Sequence, residues 1–244
     1  MHVIPCNSTG GARQCDENRG SDCDEDTEMS EAGDDGNEED PGQGGSTSGC
    51  LGLSCVEGEV QEVARSAVRA LRGVRLCAEG HEEGRLTHLV LGQQRRTLKV
   101  LLAIAAGAVL VTPEWLTASV EAGEWLPEEP FLAQGRFAEA AFAARGGNSG
   151  ERPQALLHGK RVYVHVAEAA KKGPSAGNGG PLRRLVTALG GKISGAKGCD
   201  LCIVSGGCSR PSNLSSGVTA VREEWLLKGA EQYRLESERL HAVK

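Results

Sequence analysis

Downstream of residue 50 the apolar positions alternate between short runs and helical spacings. A short apolar stretch, Leu51 to Ser54, precedes Val60, Val63, Ala64, Ala67, Val68 and Leu71, whose steps of three and four predict an amphipathic helix. A brief strand around Leu76 follows, then the loop AEGHEEGR (78–85) and a strand over Thr87 to Gly92. An apolar helix over Thr97 to Ala106, a strand over Ala108 to Val111 and one further helix complete the series. That last helix is expected to open at Thr112 as its cap, with Pro113 in the first helical position, where a missing donor costs nothing. The order βαββαβα, with continuous apolar strands, predicts a small parallel sheet covered by helices on both faces.

The series recurs. Residues 105–116 (AAGAVLVTPEWL) and 215–226 (SSGVTAVREEWL) align without gaps at an offset of 110 and agree at five of twelve positions, among them Gly107 with Gly217 and Trp115 with Trp225. A shared Trp, a rare residue here, argues for a duplicated unit. The second copy has strands at Arg161–Val166, Lys192–Ser194, Leu201–Val204 and Val218–Val221, and helices at Leu182–Leu189 and Glu223–Ala230. Its middle helix is expected to be short or irregular, because SRPSNLSS holds one large apolar residue. In the first copy, RTLKVLLAIAAG is apolar round most of its circumference, with Leu98, Leu101, Leu102 and Ala105 on one side and Val100, Ala103 and Ile104 on the other. Such a helix is buried on both sides, so the two copies are expected to pack as a compact pair. The boundaries read as 49–133 and 155–244, joined by a linker over 134–154 in which Arg145 to Arg152 is Gly, Asn, Ser and charge. Trp115, Trp225, Gly107 and Gly217 are assigned to the structural core, and PEEPF (127–131) to the closure of the first unit.

Composition changes the picture mainly before residue 50. The 244 residues carry a net charge of −6, yet the first fifty hold thirteen acids against two bases, Arg13 and Arg19, and the remainder 25 bases against 20 acids. Residues 7–49 are Gly, Ser, Asp and Glu with almost no large apolar side chain and cannot bury enough surface to offset chain entropy. Residues 1–48 are therefore expected to form a disordered acidic tail, with Ser21 and Ser30 set among acids. The longest apolar run, Val100 to Val111, falls short of the roughly 20 residues that a membrane span needs. No secretory signal pattern is expected at the start of the chain, and no membrane partner. The nine cysteines, odd in number and irregularly spaced, read as reduced thiols of an intracellular protein.

Several catalytic motifs are missing: there is no GxxxxGK[ST], no HExxH and no GxGxxG after a strand. The acid pairs Glu82–Glu83 and Glu128–Glu129 read as solvated charge, so no enzyme and no cofactor are expected. Cys199 and Cys202 form a CxxC with Cys208 nearby, but DLCIV is also the third strand of the second copy, and no fourth ligand is spaced for a zinc site. No metal is expected. A mildly basic body without aromatic stacking platforms leaves only a weak nucleic-acid footprint.

The element order, the Trp-bearing PEWL and EEWL, the LGG turn at Leu189 to Gly191 and the duplication together resemble a tandem pair of BRCT repeats. Residues 95–131 are especially similar to the C-terminal pair of microcephalin-type proteins and, less closely, to that of the breast-cancer susceptibility protein. The resemblance covers about residues 50–244. It implies an α/β fold of two repeats, each a small four-stranded parallel sheet flanked by helices. It also implies a nuclear adaptor of the DNA-damage response or cell-cycle control that binds a phosphorylated Ser or Thr of a partner protein. Carried onto this chain, the phosphate would meet the hydroxyl of Ser54, the amide of Cys55, and Thr97 and Lys99, while Arg96 would hold the peptide main chain near the third residue after the phosphate. Elementary chemistry agrees: a dianionic phosphate is stabilised by the amides and dipole of a helix N-terminus. Ser54 adds a neutral donor and Lys99 a point charge. The family commonly has Gly where this chain has Cys55, whose side chain could crowd the phosphate. Leu101 is the one wall of an inter-repeat pocket that the sequence offers, because Val164 to Gly180 matches no pattern. Two other functions stay open: binding of DNA or poly(ADP-ribose), and a scaffold indifferent to phosphorylation.

Overall fold

The computed structural model describes residues 49–77, 86–166 and 180–243. The expected acidic tail with Ser21 and Ser30, the loop 78–85 and most of 164–180 lie outside the described residues. The first repeat runs β1 (Gly49–Ser54), α1 (Gly58–Ala70), β2 (Val74–Leu76), β3 (His88–Leu91), α2 (Leu98–Ala106), β4 (Val109–Val111) and α3 (Glu114–Ala122). Its strands are all parallel, in the order β2-β1-β3-β4. Side chains alternate across such a sheet. Leu51, Val90 and Val111 pack on one face with Ala64, Ala67, Trp115 and Leu116 of α1 and α3, while Leu89 and Leu110 join α2 on the other.

The opening of α3 departs from expectation. The helix starts at Glu114, Pro113 precedes it with helical dihedrals (φ −57°, ψ −29°), and no side chain caps it. The Thr112 hydroxyl instead bonds the Glu114 carboxylate, holding it below the usual carboxylate range. The acid competes successfully for the hydroxyl that a cap would use.

The second repeat comprises β5 (Arg161–His165), α5 (Gly180–Ala188), β6 (Lys192–Ile193), β7 (Leu201–Val204), β8 (Thr219–Arg222) and α6 (Glu223–Gln232), its strands parallel in the order β6-β5-β7-β8. Between β7 and β8 the chain makes turns and no helix where a short or irregular one was expected, because SRPSNLSS has too little apolar surface to hold one against the sheet. The duplication persists in detail. Trp115 Nε1 donates to the Leu126 carbonyl and Trp225 Nε1 to that of Glu236, both at 2.9 Å. The antiparallel bridges Val111–Leu132 and Val221–Ala242 are likewise related by the repeat. Both Trp side chains are buried.

Gly217 breaks the symmetry and does not belong to the core. Gly107 ends α2 in the left-handed region (φ 68°), donating to the Ile104 carbonyl, the usual role of a C-terminal glycine. Gly217 is exposed with open space around it, because there is no preceding helix to terminate.

Residues 134–154 carry a helix that the sequence reading lacked. This helix, α4 (Arg136–Ala144), buries Phe137, Ala140, Ala141 and Ala144 against α2 and α6. Just beyond it, Arg145 Nη1 donates to the Ala108 carbonyl at 2.7 Å and Arg152 Nη2 to that of Ala105 at 3.0 Å. These side chains satisfy carbonyls at and after the end of α2 that have no helical partner. Val100 through Ala105 of α2 are all buried, and α4, α5 and α6 cover the side that faces away from its own sheet. One continuous apolar core thus joins Leu89 and Leu110 of the first sheet to Leu185, Leu201 and Leu226 of the second repeat.

The expectation of reduced thiols throughout needs correction. Cys50 and Cys77 are joined by a disulfide, with Cα atoms 5.5 Å apart. Parallel pairing of β1 with β2 sets Leu51 opposite Leu76, and the Cys77 amide donates to the Leu51 carbonyl at 2.9 Å. Spacing along the chain cannot reveal that neighbourhood. Cys55, Cys199, Cys202 and Cys208 are free thiols among the described residues. No helix among these residues is long and apolar enough to cross a membrane.

Candidate functional site

Ser54 ends β1, and Thr97 immediately precedes α2. The β1–β3 register, Ser54 opposite Leu91, sends the chain leaving β3 back across the end of β1, so the two hydroxyls meet. Ser54 Oγ lies 3.0 Å from Thr97 Oγ1, and only 5% of Ser54 is exposed. Thr97 also caps α2, its Oγ1 accepting from the Val100 amide at 3.2 Å. The Ser54 hydroxyl is also placed to donate to Cys55 Sγ at 3.9 Å, a weak acceptor that a phosphate oxygen would outcompete.

Cys55, next in line, has φ 52°, in the left-handed region. The backbone keeps the turn for which a glycine is suited, at a cost of about 1–3 kcal/mol for a residue with a Cβ. Gly92 permits it: a Cβ there would stand 2.2 Å from the Cys55 carbonyl oxygen, and the Gly92 amide donates to the Ser54 carbonyl at 3.0 Å. Sequence reading did not single out Gly92, although a glycine ending a strand is the mark of close backbone approach. Cys55 and Lys99 line one cavity of about 360 Å³, which Gln61 and Arg65 of α1 also border. Neither of these α1 residues figured in the sequence reading, since helical spacing shows only that they share an outward face.

On the other side of Thr97 lies a groove of about 170 Å³ between the repeats. Leu98 and Leu101 of α2 face Leu182 of α5 and Leu227 of α6 across it, with Pro181 and Arg96 also on its walls. Leu101 was legible beforehand; the second repeat's share was not, because it depends on how the repeats dock. Arg96 is held across the boundary, donating from Nη1 to Glu224 at 2.8 Å and to Glu231 at 3.5 Å. Glu231 also pairs with Arg136 Nε at 2.9 Å. The bond to Glu224 raises the Arg96 pKa against the effect of its burial, so the guanidinium stays charged. Its further N–H donors are not consumed by these two contacts.

At the CxxC, burial pushes the Cys202 thiol up to about 11 and raises that of Cys199. No cluster of three or more metal-ligating side chains occurs among the described residues.

No family model matches the chain. Microcephalin of Macaca fascicularis is 28% identical over 195 residues, covering 80% of this chain and 22% of that protein. Microcephalin of Mus musculus is 27% identical over 186 residues, or 76% of this chain and 21% of that one. The chain thus spans about a fifth of the length of the curated relatives that it matches. Among solved structures, the BRCT5-BRCT6 domains of S. pombe Brc1 superpose with a TM-score of 0.53 at 15% identity, covering 78% of this chain and 94% of that one. In fold the protein is a tandem pair of BRCT repeats, and over that pair its sequence is similar to microcephalin.

Proposed function

We propose that the first repeat binds a phosphorylated Ser or Thr of a partner protein. Ser54, the Cys55 amide, Thr97 and Lys99 take the phosphate, and the residues that follow it enter the groove between the repeats, where Arg96 holds their main chain. The observation that carries this reading is the convergence of Ser54 Oγ on Thr97 Oγ1 at the start of α2, beside a cavity shared by Cys55 and Lys99. Two hydroxyls, a helix N-terminus and a lysine are the donors that a dianion needs. The apolar groove next to them offers a place for a side chain of the same peptide. This is binding chemistry and requires no reacting group. Resemblance to BRCT pairs supplies the setting: an adaptor in the nucleus, acting in the DNA-damage response or cell-cycle control.

Fluorescence anisotropy against matched phosphorylated and unphosphorylated peptides tests the proposal. Phosphorylation is expected to tighten binding, and Lys99→Met to weaken it by about tenfold or more, from loss of a charged hydrogen bond worth about 1.5–3 kcal/mol. Unchanged affinity in a folded Lys99→Met protein would overturn the assignment. A salt titration separates the nucleic-acid alternative, whose affinity falls steeply with ionic strength and ignores peptide phosphorylation.

A further inference from the structure

The cavity at Cys55 and Lys99 is larger than a phosphate requires. Its volume is about 360 Å³, many times the roughly 10–15 Å³ that a single water needs on the same measure. It is bounded by β1, β2, α1 and the start of α2. Leu53 and Leu76 give it apolar walls, and Gln61 and Arg65 face it from successive turns of α1, one turn apart on the same side of the helix. Arg65 already binds a carboxylate, that of Glu62, with 46% of its side chain exposed. The inter-repeat groove, lined by Arg96 and Thr97, is a separate pocket that shares no lining residue with this cavity.

On the phosphopeptide reading above, the residues after the phosphate enter that groove, so the residues before it are left for the cavity. An extended chain advances about 3.3 Å per residue, and Arg65 borders the same cavity as Cys55 and Lys99, so the residues just before the phosphate are the ones that meet α1. The geometry points to a second anion-reading position: Arg65, with Gln61 beside it, takes an acidic side chain placed one or two residues before the phosphoresidue. The ligand class is thus an acidic phosphopeptide with its negative charge on the N-terminal side. Glu62 competes for the same guanidinium and tempers the preference.

Anisotropy with four peptides tests this on the whole chain: phosphorylated or not, each with Asp or Ala at the two preceding positions. With the wild-type protein, Asp is expected to tighten phosphopeptide binding about two- to fivefold, the range for a partly exposed ion pair. That advantage should vanish in Arg65→Gln and grow in Glu62→Gln, both substitutions on the exposed face of α1 with the helix checked by circular dichroism. An Asp advantage absent from the wild type, or equal in wild type and Arg65→Gln, overturns the proposal while phosphorylation still matters. Equal binding of phosphorylated and unphosphorylated peptides strikes instead at the phosphopeptide reading on which it rests.

Discussion

At Cys55 a side chain occupies a backbone conformation that suits glycine, and the two effects of that side chain can be separated. Cys55→Gly removes a left-handed penalty of about 1–3 kcal/mol and adds a glycine entropy cost of about 0.5–1 kcal/mol, so stability should rise by up to about 2.5 kcal/mol in urea denaturation. It also empties the thiol from the cavity it lines. Phosphopeptide affinity should therefore hold or increase; a loss would mean that the thiol contributes to binding. Gly92→Ala tests the same turn from the other side. Its new Cβ must push the Cys55 carbonyl away, and both stability and phosphopeptide binding should fall together. Asp200 makes a different kind of residue-scale prediction. The Arg161 side chain, with the Arg161 amide, holds its pKa at about 2, through bonds of 2.8, 2.9 and 3.2 Å. Because the folded value lies below the ordinary one of about 3.9, the pair favours folding at neutral pH, and that contribution is lost as pH falls from about 4 toward 2. A carboxylate titration followed by NMR should find the Asp200 midpoint near the bottom of that window, and Arg161→Ala should return it toward the ordinary value.

At the scale of elements, the strands and most helices were legible because each has a single strong period. The Trp pair located both α3 and α6, while SRPSNLSS, expected to form a short or irregular helix, forms none. The helix α4 was hidden by its composition. Phe137, Ala140, Ala141 and Ala144 stand at helical spacing, but alanines carry little apolar contrast, and the neighbouring glycines drew the whole stretch into a linker. Its contribution is large all the same. Phe137 is fully buried, and Phe137→Ala should cost about 3–5 kcal/mol, read from chemical denaturation; a cost below 1 kcal/mol would show that α4 is peripheral. The Cys50–Cys77 link was illegible for a topological reason, since parallel register and not chain spacing brings the two together. It spans 27 residues, and the chain-entropy relation assigns such a loop about 3.5 kcal/mol. Reductant should lower the melting temperature of the purified wild type and leave Cys77→Ser unchanged, with thiol alkylation and mass spectrometry confirming the state of the pair. In a reducing compartment the pair is expected to open, so this stabilisation belongs to the oxidised protein.

Over the whole molecule, α2 has two tasks that cannot be separated. Its first turn carries Lys99 and is capped by Thr97, while its buried length forms the seam against α4, α5 and α6. Arg96, Glu224, Glu231 and Arg136 tie the same end of α2 to the second repeat. The candidate phosphate site, although built from first-repeat residues, therefore rests on second-repeat packing, which is why sequence offered candidate donors and Leu101 but not the second-repeat walls of the adjoining groove. Leu185 tests the consequence. It is fully buried in α5 within the shared core, and it lines neither the cavity nor the groove. Leu185→Ala should cost about 2–5 kcal/mol, and the loosened seam should also weaken phosphopeptide binding under conditions where the variant is still folded. Calorimetry should show one unfolding transition for both repeats, shifted upward by saturating phosphopeptide by about 2.7 kcal/mol at a hundredfold excess over Kd. Two separate transitions, with peptide raising only the one that contains Trp115, would show that α2 does not couple the repeats and that the site belongs to the first repeat alone.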